Sequence, residues 1–150
     1  MRPAVNVGLS VSRVGGAAQT KAMKKAAGSM RIDLAQYREM EVFTQFSSDL
    51  DDTTKEQLKY GKGLMELLKQ PLCHPLSMSQ QVITLVAATH KKMMHVEPRK
   101  MKSYQMEMLE FFERSYPEIG QEIEEKKVLS DELIAKIENA AEEFKDKSRC

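Results

Sequence analysis

Apolar and polar side chains alternate strictly near the start of the chain, over residues 4–14. The apolar members of this alternation are Val5, Val7, Leu9 and Val11. A period of two residues is typical of a half-buried β-strand, and the glycines of residues 13–16 (RVGG) predict a turn at its end. Because a lone strand leaves its backbone hydrogen-bonding groups unsatisfied, we expect this one to pair with a second copy or to be the stub of a sheet outside the chain.

After residue 16 the apolar residues recur at the spacing of an α-helix. The first helical segment is predicted to run from residue 17 to residue 46. Its apolar stripe consists of Met23, Ala26, Met30, Leu34 and Tyr37. Gly28 and Ser29 stand where they can bend or interrupt this helix. The polar residues 47–52 then predict a break before the next helix.

Helix-start signals mark further helices downstream of this break. They are two capping-box pairs, Thr53 with Glu56 and Ser77 with Gln80, first-turn prolines at Pro98 and Pro117, and Ser130 before the last periodic segment. Gly61 and Gly63 are expected to weaken the first of these helices, and residues 145–150 are expected to fray. The pattern as a whole predicts an all-α fold, a bundle of about five or six helices behind a short β segment.

The composition is that of an ordinary globular domain. Apolar residues make up 41% and charged residues 30% of the 150 residues, and the 11 methionines indicate a core filled with flexible side chains rather than a partner-binding surface. No apolar run approaches the ~20 residues that a membrane helix needs, and no secretory signal is visible. Cys73 and Cys150 stand far apart, which argues against a disulfide framework and favours reduced thiols.

Charge is unevenly distributed, although the formal net charge is only +1. Residues 1–32 contain six Lys or Arg and no acid, whereas residues 118–146 contain ten Asp or Glu and four Lys. Such asymmetry fits either different partners at the two ends or two solvated helix faces of opposite sign. The net charge argues against nucleic-acid binding by the whole chain, and residues 1–32 lack the interleaved aromatics of a nucleic-acid site.

Few residues have the spacing of a catalytic or metal site. The segment from Gly15 to Lys21 has glycines and a lysine but not the GxxxxGK[ST] spacing of a phosphate-binding loop, so autonomous ATP hydrolysis of the usual kind is not expected. His74, His90 and His95 form no metal constellation, and we expect no metal site. The carboxylates near the C-terminus lack a partner nucleophile and are interpreted as a solvated helix face.

Arg13 is the residue with the clearest chemical interpretation. It stands where the predicted strand ends in a glycine turn, so its side chain can project from a sheet edge toward a neighbour. A guanidinium stays charged and donates hydrogen bonds in a planar fork, which suits a phosphate. The alternative is an ordinary surface arginine on a loop.

Several ordered stretches of the chain resemble one known family. Residues 3–12 (PAVNVGLSVS) resemble the signature shared by the alpha and beta subunits of F-type ATP synthases. Residues 13–21 (RVGGAAQTK), 34–39 (LAQYRE), 46–51 (FSSDLD) and 67–70 (LLKQ) look specifically like the alpha subunit. The similarity covers the whole chain and is strongest in its first half. The chain thus resembles the C-terminal part of such an alpha subunit.

The resemblance implies a set of residues for the catalytic site. Members of this family assemble as a hexamer of three alpha and three beta subunits around a rotating central stalk, with catalytic sites mainly on beta. Arg13 would be the arginine finger that reaches from alpha into the catalytic site of a neighbouring beta subunit. Ser10 would be required for activity at the interface loop, and Val11 would line the same site.

The resemblance also implies a non-catalytic nucleotide site, which lies mainly on alpha. Arg2 and Pro3 would form the edge of its adenine pocket, and Gln70 would contact the adenine there. Leu72 stands where many members have a second glutamine, so the resemblance does not carry an adenine contact over to that side. In the intact complex the ligands would be ATP or ADP with Mg²⁺, and this segment would hold no cofactor by itself.

The implied domains are the end of the nucleotide-binding domain, residues 1–16, and a C-terminal α-helical domain, residues 17–150. The implied partners are the beta subunit, the gamma central stalk and the peripheral stalk with its delta subunit, with membrane association only through the Fo sector and no nucleic acid. The expected location is peripheral to the energy-coupling membrane, at the cytoplasmic face of a bacterial plasma membrane.

The family's Walker-motif core is not in this sequence, so we expect a fragment that is not catalytic by itself. In that interpretation the isolated chain assists ATP synthesis or hydrolysis only within the hexamer. The alternative is a stand-alone helical module that binds partner helices in methionine-rich grooves.

Overall fold

The computed structural model describes residues 12–44 and 51–148 of the chain. Every regular element in these two ranges is helical, which confirms the predicted all-α fold. The α-helices are α1 (Arg13–Ala18), α2 (Lys21–Ala26), α3 (Met30–Thr44), α4 (Asp52–Leu67), α5 (Met78–Thr89), α6 (Met101–Ser115), α7 (Pro117–Lys126) and α8 (Asp131–Ser148). A 3₁₀ turn, Pro98–Lys100, leads into α6.

The segment predicted as a strand and turn lies partly outside the described residues, which begin at Ser12. Within them, residues 13–16 form the first turn of α1 and not the predicted turn after a strand. The reason is a local cap, because the Ser12 hydroxyl accepts a hydrogen bond from the Gly15 backbone N–H at 2.9 Å. The strand itself stays a prediction.

The single helix predicted over residues 17–46 is divided into α1, α2 and α3. The first division falls at Thr20, whose extended backbone and side-chain cap, accepting from the Met23 N–H at 3.2 Å, start a new helix. The second falls at residues 27–29, where Gly28 and Ser29 were expected to interrupt the helix. The predicted break after residue 46 lies largely outside the described residues.

Four helix starts agree with the sequence signals. At Ser77 the capping box is complete, since its hydroxyl accepts from the Gln80 N–H at 3.2 Å and the Gln80 side chain accepts from the Ser77 N–H at 2.9 Å. Pro98 and Pro117 occupy first positions of their helical segments. The Ser130 hydroxyl caps α8.

Two boundaries differ from the prediction. Helix α4 begins at Asp52 after Asp51 as N-cap, so Thr53 lies inside the first turn and forms no capping box; an aspartate there suits the positive end of the helix dipole. Helix α8 stays regular to Ser148 instead of fraying from residue 145. Its last turns are held by burial of Phe144 and by ion pairs within the helix such as that of Lys147 with Glu143.

Helix α5 is the centre of the bundle. It packs against α2, α6, α7 and α8, while α4 packs against α3 on one side and α6 on the other. Several methionines lie in the core, as the composition suggested: Met30, Met93, Met101 and Met108 are all at most 4% exposed. None of the described helices is both long and apolar enough to cross a membrane.

Gly61 lets α3 and α4 approach closely. A Cβ atom at this position would lie 2.3 Å from the ring atoms Cγ and Cδ2 of Tyr37, so only a glycine fits beneath that side chain. Gly63 is different, because a Cβ there would meet only the terminal methyl of Met101, at 2.9 Å. The glycines were expected only to weaken α4, and the structure shows that Gly61 is a packing contact.

A partly buried hydrogen bond also joins these two helices. The Tyr60 hydroxyl on α4 donates to the Asp33 carboxylate on α3 at 3.0 Å. Burial, followed by the bond to Asp33 and its charge, raises the pKa of Tyr60 well above its usual range. On α3 itself, burial and the hydrogen bond to Glu41 raise the pKa of Tyr37 to about 12.

We expect Tyr60→Phe to flatten the loss of stability at alkaline pH. The unfolded tyrosine has a pKa of about 10 and the folded one a higher pKa, so its contribution to stability is complete below about pH 10 and is lost as the pH rises through the folded-state pKa. The variant should lose about 1 kcal/mol at neutral pH with the hydrogen bond, yet fall less steeply than the parent between about pH 10 and 12.

Denaturant unfolding curves recorded across this range would measure both effects. Asp33→Asn is the matched control, because it removes the charge but not the burial that is the larger cause of the pKa shift. It should therefore reduce the alkaline slope only in part. Parallel pH profiles for the parent and Tyr60→Phe would contradict the argument.

Candidate functional site

The loop between α4 and α5 borders a cleft of about 480 Å³. Its polar lining consists of Gln70, Cys73, His74, Gln80, Lys102 and Gln105. Its apolar lining consists of Pro71, Pro75, Leu76 and Met106. The loop supplies one wall, and α5 and α6 supply the other. A concave site of this size with apolar walls and a few polar groups is typical of a small-molecule pocket.

Gln70 is the predicted adenine contact that the structure describes. Its side chain is exposed and lines the cleft. Gln80, by contrast, is engaged elsewhere, because its Nε2 donates to Glu113 Oε1 at 2.8 Å and its Oε1 accepts from the Ser77 N–H. Gln70 is therefore the glutamine that the loop itself contributes to the lining of the cleft.

The loop that holds Gln70 has an unusual backbone at its tip. Cys73 has φ of 61°, the left-handed region that a non-glycine residue adopts rarely. Leu72 beside it is 90% exposed and does not line the cleft. The Leu72 side chain therefore adds no contact to the cleft.

Lys102 and Gln105 of α6 form a polar floor beneath the loop. The Lys102 ammonium donates to the backbone carbonyl of Leu67 at 2.7 Å and to Gln105 Oε1 at 3.0 Å. Gln105 is only 2% exposed, and its Nε2 donates to the Thr84 hydroxyl on α5 at 3.2 Å. Burial lowers the pKa of Lys102, and the nearby carboxylate of Glu66 opposes this shift.

Sequence reasoning did not find these two residues. Lys102 meets Leu67 and Gln105 meets Thr84 across 35 and 21 positions of the chain, which no local motif links. One signal was present: Gln105 occupies a position of the apolar stripe that Met101, Met108 and Phe112 form on α6. A polar residue in such a stripe needs a buried hydrogen-bond partner.

Arg13 lies apart from the cleft. It is the first residue of α1, a six-residue helix that buries none of its side chains, and its own side chain is exposed. It does not line the cleft at Gln70. The other predicted site residues, Arg2, Pro3, Ser10 and Val11, lie outside the described residues, so their arrangement with Arg13 stays a prediction.

The histidines have separate environments. His74 lines the cleft, the Nδ1 atom of His90 contacts the Glu138 carboxylate of α8, and His95 packs edge-on against Tyr104 at a ring-centroid distance of 5.2 Å. Over residues 12–44 and 51–148, no three His, Cys, Asp or Glu side chains come together in an arrangement fit for a metal ion.

Comparison with known proteins decides the family. A profile described as "ATP synthase alpha/beta chain, C terminal domain" matches residues 19–144. The chain belongs to this ATP synthase family. It is 51% identical over 144 residues to ATP synthase subunit alpha of Clostridium kluyveri and 53% identical over 145 residues to that of Acetivibrio thermocellus. These matches cover 96% and 97% of the chain and 29% of each relative.

The matched relatives are ATP synthase alpha subunits, which confirms the family and the alpha type that the motifs suggested. The alpha subunit of Clostridium botulinum is 49% identical over the same 96% of the chain. The chain spans 29% of the length of these relatives, and the matching profile is that of the C-terminal domain. The all-α fold of the described ATP synthase segment agrees with this placement.

Proposed function

We propose that this chain acts as the C-terminal part of the regulatory, non-catalytic alpha subunit of an F-type ATP synthase. The observation that supports this most directly is the identity of 51% to 53% with alpha subunits over nearly the whole chain. In this proposal residues 1–16 end the nucleotide-binding domain and residues 17–150 form the helical C-terminal domain. The helices serve assembly, and the chemistry depends on the first of these two segments.

The cleft at Gln70 is proposed to hold the adenine of a nucleotide bound at alpha's own non-catalytic site. Its volume of about 480 Å³ and its mixed lining suit a purine base. The Gln70 amide has a donor and an acceptor, which match the amino group and ring nitrogens of adenine. Arg2 and Pro3 would complete the edge of the pocket.

Arg13 is proposed as an arginine finger for the neighbouring beta subunit. An exposed side chain on a short helix without buried residues can reach across a subunit boundary. Its guanidinium would stabilise negative charge that develops on the γ-phosphate during phosphoryl transfer. Ser10 and Val11 would shape the interface loop from which the arginine projects.

We propose that Mg²⁺ is held by ligands outside this segment. The described residues contain no cluster of carboxylates, histidines or cysteines that fits a metal ion. In MgATP the cation is held largely by phosphate oxygens and a few carboxylate or hydroxyl ligands.

The proposed partners are the beta subunits of the hexamer, the gamma central stalk and the peripheral stalk with its delta subunit. Contact with the membrane would occur only through the Fo sector, at the cytoplasmic face of a bacterial plasma membrane. The isolated chain is proposed to be inactive, because its sequence has no phosphate-binding loop.

A chimeric alpha subunit would test this function. The matching segment of the Acetivibrio thermocellus alpha subunit is replaced by residues 1–150, and the product is assembled with the beta and gamma subunits of that organism. We expect a hexamer that hydrolyses ATP, whereas the isolated chain should show no turnover. ATP hydrolysis by the isolated chain that survives Arg13→Ala would contradict the proposal.

The matched control is the same chimera with Phe112→Asp. Phe112 is 2% exposed, so a carboxylate there would be buried without a partner and should prevent folding of the helical domain. Loss of assembly in this control shows that the hexamer depends on the folded chain. A chimera that folds but does not assemble would contradict the assignment to the alpha subunit.

A further inference from the structure

The end of α4 is tied to two other helices by one lysine. Leu67 is the last residue of α4, and its carbonyl belongs to the final turn, where helical hydrogen bonds run out. The Lys102 ammonium supplies the missing donor at 2.7 Å. A cation at this position also interacts favourably with the negative end of the helix dipole.

Lys102 is also the first member of a hydrogen-bond chain that leads into the core. From Lys102 it runs to Gln105 at 3.0 Å and from Gln105 to the Thr84 hydroxyl at 3.2 Å. This hydrogen-bond chain therefore connects α4, α6 and α5. Helices α5 and α6 line the cleft, and α4 ends three residues before Gln70. Because Gln105 and Thr84 are at most 4% exposed, they have little freedom to rearrange.

An ion pair also holds the last turn of α4. Glu66, one residue before Leu67, pairs with Lys69, and its charge opposes the lowering of the Lys102 pKa by burial. Lys69 is followed directly by Gln70, so the ion pair and the carbonyl contact both lie within four residues of the predicted adenine contact. The last turn of α4 is thus held by Lys102, which forms part of the cleft floor.

We propose that Lys102 is a positioning residue for nucleotide recognition, which holds the end of α4 so that the Gln70 amide faces the base in the cleft. This inference rests on the proposed function of the cleft as an adenine pocket. In this inference, Gln70 gives the cleft its preference for a purine with a 6-amino group, and Lys102 sets the orientation of Gln70. Lys102 itself contacts no reacting atom.

Binding to the chimeric alpha subunit described above, purified before assembly, tests this role. The probes are ATP and purine riboside triphosphate, which is ATP without the 6-amino group. Lys102→Met should reduce the preference for ATP over the analogue by about fivefold to tenfold, the range expected for one hydrogen bond, with little change in affinity for the analogue. A merely structural role would weaken both nucleotides together.

Lys100→Met is the matched control, since Lys100 is exposed, lies two residues away and makes only a distant ion pair with Glu97 at 3.9 Å. It should leave the preference unchanged. Lys102→Gln, whose shorter side chain does not reach the Leu67 carbonyl, is a second variant should the methionine variant fail to fold. Thermal unfolding followed by circular dichroism identifies that case.

Gln70→Ala separates this inference from the proposed function. If Gln70→Ala keeps the full preference for ATP, the adenine-pocket assignment is wrong. If Gln70→Ala loses the preference and the Lys102 variants keep it, the pocket stands and the positioning role is overturned. The double variant should be no worse than Gln70→Ala alone, and additive losses would also overturn the positioning role.

Discussion

Replacing Arg13 by alanine in the assembled ATPase should lower kcat for ATP hydrolysis by about 10³–10⁵-fold, the range for arginine fingers in phosphoryl transfer. The expected loss is this large because the guanidinium would meet charge that develops only in the transition state. Nucleotide affinity should change far less. Steady-state ATPase rates and equilibrium nucleotide binding, measured on the same preparation, give the two quantities.

Protein stability should be unaffected by this substitution, since α1 buries none of its side chains and Arg13 is exposed. Arg13→Lys should recover only part of the rate, because an ammonium keeps the charge but not the bidentate fork. Arg99→Ala is the matched control, as it removes another exposed arginine. An Arg13→Ala enzyme with a kcat within tenfold of the parent would rule out the finger.

Gly61→Ala should lower the free energy of unfolding by about 2–3 kcal/mol, a typical cost of overpacking a core contact. The added methyl would lie 2.3 Å from the Tyr37 ring and 2.4 Å from its Cβ, so α3 must move away from α4. The gain in helix propensity of about 1 kcal/mol from glycine to alanine offsets only part of this cost. Denaturant unfolding at neutral pH measures the difference.

Two other glycines of the helices serve as matched controls. At Gly63 the added methyl meets only the flexible end of Met101, and at Gly120 it meets nothing within 4 Å. Gly120→Ala should therefore stabilise the chain by up to about 1 kcal/mol, and Gly63→Ala should be near neutral. Equal changes in the free energy of unfolding at Gly61 and Gly120 would show that contact with Tyr37 does not limit how closely α3 and α4 approach each other.

Much of the helical framework was predictable because its signals are local. The Ser77 capping box and the prolines at 98 and 117 act through atoms within three residues of the helix start, so the sequence shows them directly. Where the prediction of the first helix failed, a stronger local signal was present, because Thr20 caps a new helix. Helix α4 begins one residue before Thr53, at Asp52.

The candidate site was predictable only in part. Ordered motifs led to the family, which comparison with known alpha subunits confirms, and they singled out Gln70. The shape of the cleft and its floor were not predictable, because they depend on where α6 lies against α4 and α5. The proposed roles of Arg13 and Gln70 remain predictions that the assembled enzyme would test.

Local patterns in the sequence were thus sufficient for the helical class, most helix starts and the family, since each depends on residues that are close along the chain. Tertiary packing alone shows that Gly61 is a contact point beneath Tyr37 and that Lys102 closes the end of α4. The physical reason is distance along the chain: Lys102 and Leu67 are 35 positions apart and meet only when α4 and α6 pack together.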